Sequence, residues 1–324
     1  MDDADEFLAA TENATTHHNS GEKTASKHYG DEPKSDRKEK PSPGRVSQYV
    51  LYGPGFKPAT PTVPTLPPGC YDLAADNQGT YCIPVPEPTG LLLELPEMRS
   101  EEVIKIVENF WASEKDYKEG NRFVRGGANF KAGIMIFGEP GTGKSCTIKI
   151  VSRKLVHRGG TVFYAGVNPG IVNSFLGDFR TVEPDRKCIV ILEDIDSLIG
   201  YYGEAAYLEM LDSAKTIDNV MFIATTNYPD RLDARIYNRP GRFSQVVKIG
   251  LPGEAARRAF LEAILLDYSD VDAIVAGSEG YSIDHLSALI NAVYREKKDL
   301  QKEMARLRKL FKMPKLDADK KVGF

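Results

Sequence analysis

The order of apolar runs along the chain predicts an α/β fold. We expect a parallel sheet with helices on both faces, followed by a small all-helical lid domain. From Gly133 onward, short apolar runs alternate with segments of helical periodicity, and after about residue 252 only helical patterns follow. The first apolar run, Ile134 to Phe137, leads into a glycine-rich loop and then a helix, an order typical of parallel sheets.

The boundaries of these elements follow from the runs themselves. Strands are predicted at 133–137, 161–165, 187–193, 220–225 and 245–249, and helices near 144–158, 170–178, 203–214, 253–267 and 282–311. The strands and the helices between them define an α/β domain over residues 121–252. Residues 253–324 then form the predicted lid with a C-terminal helix.

The amino-terminal part of the chain has a different composition. Residues 1–69 are predicted to be a disordered tail, rich in charged and small polar residues, and a proline-rich linker that begins at Pro54. Residues 70–120 are expected to form a small hairpin around the turn at 76–79, and a helix that Ser100 caps, all preceding the α/β domain.

Charge and cysteine content restrict the class of protein. The 324 residues carry a net charge of −4, which argues against a polyanion as the main partner. The four cysteines contain no C-x-x-C pair, which favours a reducing compartment. The acidic first residues lack a signal sequence, and no run approaches the ~18 apolar residues of a membrane span. We therefore expect a cytoplasmic protein without a membrane segment.

A phosphate-binding loop is the strongest motif. Residues 138–145 read G-x-x-x-x-G-K-[ST], placed between an apolar strand and a helix. Lys144 is expected to reach the β- and γ-phosphates of ATP, and the hydroxyl of Ser145 to ligate Mg²⁺. The residues expected to hold the nucleotide are Gly138, Glu139, Pro140, Gly141, Thr142, Gly143, Lys144, Ser145 and Cys146.

A second motif is the apolar strand that ends in Glu193 and Asp194. Two carboxylates at such a strand end can hold Mg²⁺ and polarise the attacking water. The register predicts that Glu193 faces the magnesium and Asp194 the water. Exchanged roles or slowed hydrolysis are the alternative, because Asp194 is one methylene shorter than the usual base. Asn227, at the end of the next apolar strand, is expected to orient the water.

Two arginines, Arg239 and Arg242, follow in the turn Arg-Pro-Gly-Arg-Phe. A guanidinium there could stabilise the charge that develops on the transferred phosphoryl group. The alternative is a turn held by surface salt bridges.

Taken together, these residues resemble the AAA family of ring ATPases. Residues 138–145 resemble its Walker A element, 192–198 its Walker B element, Asn227 its sensor 1, 226–243 its second region of homology, and 280–286 its lid motif. The resemblance implies a homo-oligomeric, hexameric ring that couples ATP hydrolysis to remodelling or threading of a protein substrate, in the manner of a chaperone. The Glu-Asp order is inverted relative to the family.

The resemblance also suggests where a substrate is gripped. Phe175, Leu176 and Gly177 look like the aromatic-apolar-glycine loop that lines the ring's pore, the alternative being a helix end in the core. Residues 201–203, Tyr-Tyr-Gly, are a candidate for a second pore loop, with burial as an equal alternative.

Two other functions remain open at this point. A DNA-associated motor or loader is suggested by the basic stretch from Arg295 to Lys315, although nucleic acid is not the favoured partner. A nucleotide-dependent scaffold with slow or no hydrolysis is suggested by the inverted carboxylates.

Overall fold

The computed structural model describes residues 48–52, 55–59, 63–118, 130–213, 217–237, 242–267 and 269–311. The chain divides into two compact units, residues 1–62 and 63–324. In the first unit, β1 (Gln48–Tyr52) pairs with β2 (Gly55–Ala59) in antiparallel orientation. Residues 55–59, which the sequence assigns to the proline-rich linker, therefore form a strand. The predicted disordered tail, up to residue 47, lies outside the described residues.

The second unit is built on one seven-stranded sheet. Its strands lie in the order β4-β3-β6-β7-β8-β5-β9. They are β3 (Gly69–Asp76), β4 (Gly79–Val85), β5 (Lys131–Phe137), β6 (Thr161–Tyr164), β7 (Cys188–Leu192), β8 (Val220–Thr226) and β9 (Gln245–Lys248). All neighbouring strands are parallel except β3 and β4, which form an antiparallel hairpin. The predicted parallel α/β sheet is confirmed.

The predicted hairpin is present, and it joins the sheet. β3 pairs in parallel with β6, from Gly69 opposite Thr161 to Asp72 opposite Tyr164. Glu183, at the end of a helix, also accepts a hydrogen bond from the backbone N–H of Leu66 at 2.7 Å. The hairpin thus extends the main sheet at one edge.

Helices cover both faces of the sheet, because β7 and β8 are buried at every position. In β5, Ile134 and Ile136 belong to one apolar cluster, whereas Met135 between them belongs to the other. The helices of this part are α1 (Ser100–Ala112), α2 (Glu114–Lys118), α3 (Lys144–His157), α4 (Pro169–Val182), α5 (Ile195–Tyr202), α6 (Glu204–Ser213) and α7 (Ala234–Tyr237). Ser100 lies inside α1, and Arg99 is the N-cap residue, so the predicted Ser100 cap is wrong.

The C-terminal part is helical throughout its described residues, as the sequence predicts. It contains α8 (Glu254–Ile264), α9 (Val271–Gly277), α10 (Ile283–Ile290), a π-helical segment (Asn291–Arg295) and α11 (Leu300–Phe311). The single helix predicted over 282–311 is wrong. The chain leaves the helix after the π segment, and Lys297 adopts a left-handed conformation with φ of 58°. α11 buries Met304 and Leu307 in the apolar cluster that also contains Leu286 and Leu289 of α10.

Candidate nucleotide site

The phosphate loop connects β5 to α3, as its motif requires. Gly143 is the N-cap residue of α3 and has a φ of 98°, a conformation that glycine adopts without steric cost. α3 begins at Lys144, so the amide groups of its first turn are free of helical partners and lie beside the loop. This arrangement offers an anion N–H donors and the positive end of a helix dipole.

Lys144 is held under the loop. Its ammonium donates to the carbonyl oxygens of Gly138 at 2.9 Å and Glu139 at 2.8 Å, and its side chain is buried. Burial lowers the pKa of Lys144, while the charges of Asp194 and other carboxylates partly restore it. A buried cation with only carbonyl partners is well placed to bind an incoming phosphate.

The two carboxylates at the end of β7 face different partners. Glu193 Oε2 accepts a hydrogen bond from the hydroxyl of Ser145 at 3.4 Å. Asp194 Oδ1 accepts one from the side-chain amide of Asn227 at 3.3 Å. Desolvation raises the pKa of Glu193, and the neighbouring charge of Asp194 raises it further. Glu193 thus lies beside the predicted metal ligand, and Asp194 beside the predicted water-orienting amide.

The backbone fixes Asp194 in an uncommon conformation. Asp194 has a φ of 48°, in the left-handed region, and it is the N-cap residue of α5. Its N–H donates to the hydroxyl of Thr225 on β8 at 3.0 Å. Residues held in such conformations concentrate at functional sites, because the surrounding structure must hold them there. The role of Thr225 was not predicted, since a threonine inside a β-branched strand looks like an ordinary strand residue.

Asn227 has one free polar atom in this part of the site. Its amide nitrogen is engaged by Asp194, but its buried Oδ1 has no hydrogen-bond partner among the described residues. A buried unpaired oxygen is costly unless water or a ligand satisfies it. This atom can therefore accept a hydrogen bond from a water that also contacts Asp194.

Lys144, Ser145, Asp194, Thr225 and Asn227 line one cleft of about 470 Å³, and Glu193 contacts it through Ser145. A volume of this size is within the range of small-molecule sites. Its lining residues come from the segment before α1, the phosphate loop, the ends of β7 and β8, and α10 of the lid: Thr89, Leu91, Leu92, Pro140, Gly141, Gly143, Lys144, Ser145, Cys146, Lys149, Asp194, Thr225, Asn227, Ile283 and Asp284.

A second, apolar cavity of about 120 Å³ adjoins the loop. It is lined by the segment before α1, the start of α3 and two lid side chains: Leu91, Leu93, Leu95, Met98, Ser100, Thr142, Gly143, Cys146, Thr147, Ile150, Phe260 and Ile283. The sequence interpretation missed this cavity, because its residues are separated by up to 192 positions, from Leu91 to Ile283. The apolar run Leu91-Leu92-Leu93 outside any strand was the one available signal.

The oxygen ligands suit magnesium. Ser145 Oγ and Glu193 Oε2 lie 3.4 Å apart, so one small cation can contact both. Within the described ranges there is no group of three His, Cys, Asp or Glu side chains able to hold a metal. Mg²⁺ commonly uses one or two protein oxygens together with substrate phosphates and water.

The two arginines predicted to act on the phosphoryl group have different outcomes. Arg239 lies outside the described residues. Arg242 is buried, and its guanidinium makes a two-pronged ion pair with Asp212 of α6, with Nη2 to Oδ2 at 2.7 Å and Nε to Oδ1 at 3.1 Å. It also donates to the carbonyl oxygen of Arg235. A guanidinium committed in this way ties α6 to the chain after α7, so the predicted role of Arg242 at the phosphoryl group is wrong.

The predicted pore loop is also wrong. Phe175, Leu176 and Gly177 lie within α4, and the first two side chains are buried. The ring of Phe175 contacts Phe163 of β6 with centroids 5.0 Å apart. The helical spacing of the apolar residues places this aromatic in the core.

Tyr201 and Tyr202 behave differently. They lie in the last turn of α5, which ends at Gly203 with a φ of 86°. Tyr201 is 83% exposed, and its ring contacts that of the half-buried Tyr202 with centroids 4.7 Å apart. Of the two candidate pore-loop segments, 175–177 and 201–203, the second therefore carries the exposed aromatic, Tyr201.

Comparison with known proteins supports the reading of this site. The protein-family model described as "ATPase family associated with various cellular activities (AAA)" matches residues 134–251. That range contains the phosphate loop, both carboxylates and Asn227. Residues 134–251 are therefore an AAA-type ATPase domain. The match begins in β5 and ends before α8.

Individual relatives agree with this assignment. The chain is 29% identical over 221 residues to an ATP-dependent zinc metalloprotease FtsH 1 of Sphaerobacter thermophilus, covering 60% of this chain and 32% of the relative. It is 29% identical over 197 residues to an ATPase family protein 2 homolog of Caenorhabditis elegans, covering 53% of this chain and 26% of the relative. An ATP-dependent zinc metalloprotease FtsH 1 of Conexibacter woesei is 26% identical over 204 residues, covering 55% of this chain and 30% of the relative. The chain thus spans a third or less of these relatives' length.

Proposed function

We propose that the chain binds Mg-ATP in the 470 Å³ cleft and hydrolyses it, with Asp194 as the base. The observation that carries this proposal is the division of the carboxylates, with Glu193 at Ser145 and Asp194 at Asn227. Lys144 and the amides at the start of α3 bind the phosphates. The apolar cavity beside the loop takes the base of the nucleotide, since its lining is apolar and it adjoins the cleft.

The chain's own residues supply most of the chemistry. Asn227 and Asp194 together orient a water, and Asp194 accepts its proton as it attacks the terminal phosphate. Lys144 stabilises negative charge on the phosphate oxygens. Mg²⁺, held by Ser145 and Glu193, neutralises part of the phosphate charge when it is bound. The inverted Glu-Asp order is compatible with this scheme, because each carboxylate has the partner that its role needs.

The remaining parts of the proposal concern assembly and substrate. We infer a homo-oligomeric, hexameric ring in which Arg239 of one subunit serves the neighbouring site, and a protein substrate that the ring remodels. Tyr201 replaces Phe175 as the candidate substrate contact, because it is exposed and lies at the far end of the helix that begins at Asp194.

The basic C-terminal helix gives little support to a DNA-binding role. Arg306 is paired with Glu303, and Arg308 donates to the carbonyl oxygen of Gly277 at 2.7 Å. Arg308 thus joins α11 to the end of α9, whereas the pair of Arg306 with Glu303 lies within α11, so both guanidinium groups already have protein partners. A protein substrate remains the favoured interpretation.

A cytoplasmic location remains part of the proposal. All four cysteines are free thiols, as expected in a reducing compartment. Among the helices that the structure describes, none has both the length and the apolarity to cross a membrane.

Three variants test the assignment of the site. We expect Lys144→Ala to lose ATP binding, and Asp194→Asn to bind ATP but lose about 10²- to 10⁴-fold in turnover, the range for removing a general base. Glu193→Gln should chiefly weaken magnesium-dependent binding. Calorimetric binding and phosphate-release assays measure both quantities.

Glu209→Gln is the matched control, since Glu209 is an exposed carboxylate of α6 outside the cleft. Exchange of the Glu193 and Asp194 phenotypes would show that the register is wrong. A wild-type protein that binds ATP without releasing phosphate would instead support the non-hydrolysing scaffold.

A further inference from the structure

A carboxylate of the lid reaches the phosphate loop. Asp284 is the second residue of α10, two positions after the Ser282 cap. Its backbone N–H contacts the carbonyl oxygen of Gly141 at 3.4 Å. Gly141 has a φ of 76°, and a Cβ there would lie 2.9 Å from Asp284 Oδ2. The absence of a side chain at Gly141 therefore leaves the space that the Asp284 carboxylate occupies.

Asp284 also acts on the nucleotide cleft. It lines the same 470 Å³ cleft as Lys144 and Asp194. Its negative charge opposes the effect of burial on the Lys144 ammonium, as the charges of Asp194 and Glu139 also do. Asp284 is thus electrostatically coupled to the group that is expected to meet the phosphates.

The charges of the cleft lining balance one another. Asp194 and Asp284 are its acidic residues, and Lys144 and Lys149 are its basic residues. Glu193, which contacts Ser145, adds a further carboxylate nearby. The cleft therefore has no excess of positive charge for a triphosphate, so neutralisation depends on a bound cation.

We propose that Asp284 makes nucleotide binding depend on a divalent cation and couples it to the position of the lid. While α10 rests on Gly141, the Asp284 carboxylate repels the phosphates of metal-free nucleotide, and a cation on the phosphates relieves that repulsion. The coupling is reciprocal. If the docked lid lowers the affinity for metal-free nucleotide by some factor, then bound metal-free nucleotide lowers the equilibrium constant for lid docking by the same factor. The inference rests on the proposed function of the cleft.

A purely structural role for Asp284 has different consequences. An acidic residue in the first turn stabilises a helix by interacting with its dipole. Loss of that interaction would change the thermal stability of the lid. It would not distinguish metal-free nucleotide from its magnesium complex.

The experiment compares Asp284→Asn with Glu279→Gln in the full-length chain. Glu279 is an exposed carboxylate just before α10 and does not line the cleft. Dissociation constants for ATP are measured by calorimetry in EDTA and in excess magnesium. We expect Asp284→Asn to bind metal-free ATP about tenfold more tightly, and Mg-ATP within about threefold of wild type. Glu279→Gln should match wild type in both conditions.

Two results of these binding measurements would contradict the proposal. Unchanged metal-free binding in Asp284→Asn, or weaker Mg-ATP binding that marks Asp284 as a cation ligand, would overturn the proposal. Asp284→Ser provides a second variant if the first is poorly folded, since serine also suits a helix start. Wild type and Lys144→Ala serve as a separate check. If wild-type binding is absent, the proposed function fails, whereas normal wild-type binding with no Asp284 effect rejects this inference alone.

Discussion

Helices α4 and α5 follow neighbouring strands and carry similar aromatic-glycine segments, yet the aromatics Phe175 and Tyr201 lie in opposite environments. α4 buries Val172, Phe175, Leu176 and Phe179 on one face, at positions that recur with helical spacing. α5 buries Ile195 and packs Leu198, Ile199 and Tyr202 against the same apolar cluster, whereas Tyr201 lies off that stripe and is exposed. The comparison teaches that the spacing of surrounding apolar residues decides burial, whereas the aromatic-glycine composition does not.

The two helices also differ in how they are fixed. Arg180 of α4 donates to the carbonyl oxygen of Asn219 at 2.7 Å and to the sulfur of Cys188 at 2.9 Å. α5 is instead attached through its first residues to Asp194 and the nucleotide cleft. α4 is a scaffold for the sheet, while α5 connects the cleft at Asp194 to an exposed aromatic, Tyr201, seven residues away.

The largest expected effect is a difference in stability loss between an aromatic variant in α4 and one in α5. Phe175→Ala should lower the free energy of unfolding by about 3 to 5 kcal/mol, because it leaves a cavity between Phe163 and Phe179. Denaturant unfolding of the full chain measures the loss. Tyr201→Ala is the matched aromatic control, and it should change stability by less than about 0.5 kcal/mol. Equal losses in the two variants would invalidate the contrast in burial.

A smaller effect concerns the glycine of the former loop candidate. Gly177 is helical, and a Cβ there would meet nothing within 4 Å. Gly177→Ala should therefore stabilise the protein by about 0.5 to 1 kcal/mol, since alanine loses less backbone entropy in a helix. Melting curves with and without ATP provide the measurement. A loss of stability or of ATPase activity would indicate that α4 must bend at this residue.

The smallest expected change in stability belongs to Tyr201, but its functional effect should be clear. Tyr201→Ala should retain basal ATPase activity and lose the stimulation that an unfolded polypeptide produces, because it removes exposed aromatic contact area. Phosphate release is measured with unfolded polypeptide, with DNA and with neither. Tyr81→Ala, an exposed aromatic on β4, is the control. Stimulation by DNA alone would favour the motor or loader alternative.

The sequence predicted the site in the places where local patterns define the geometry. The phosphate loop, Glu193 and Asn227 each follow an apolar strand, and parallel strands bring their carboxyl ends to one edge. The partners of Arg242 and Asp284 could not be predicted in this way. The ion pair of Arg242 with Asp212 and the approach of Asp284 to Gly141 depend on contacts between distant segments.

The fold shows the same division. The strands from β5 to β9 were predicted within a few residues, because each is an uninterrupted apolar run between turn signals. The pairing of β3 with β6 was not predicted, since neither strand identifies its neighbour. The break after residue 295 was missed because the apolar stripe continues into α11 with Met304 and Leu307.

The hairpin at the sheet edge determines which fragments of this protein can be handled separately. A recombinant piece cut to residues 134–251, the span of the family match, would lack β3 and leave one side of β6 without its ladder. The same cut would uncover the core beneath Tyr71 and Leu73, two buried side chains of β3. Unprotected apolar edges promote association between chains. A useful fragment must therefore begin at or before residue 63, more than seventy residues ahead of the phosphate loop.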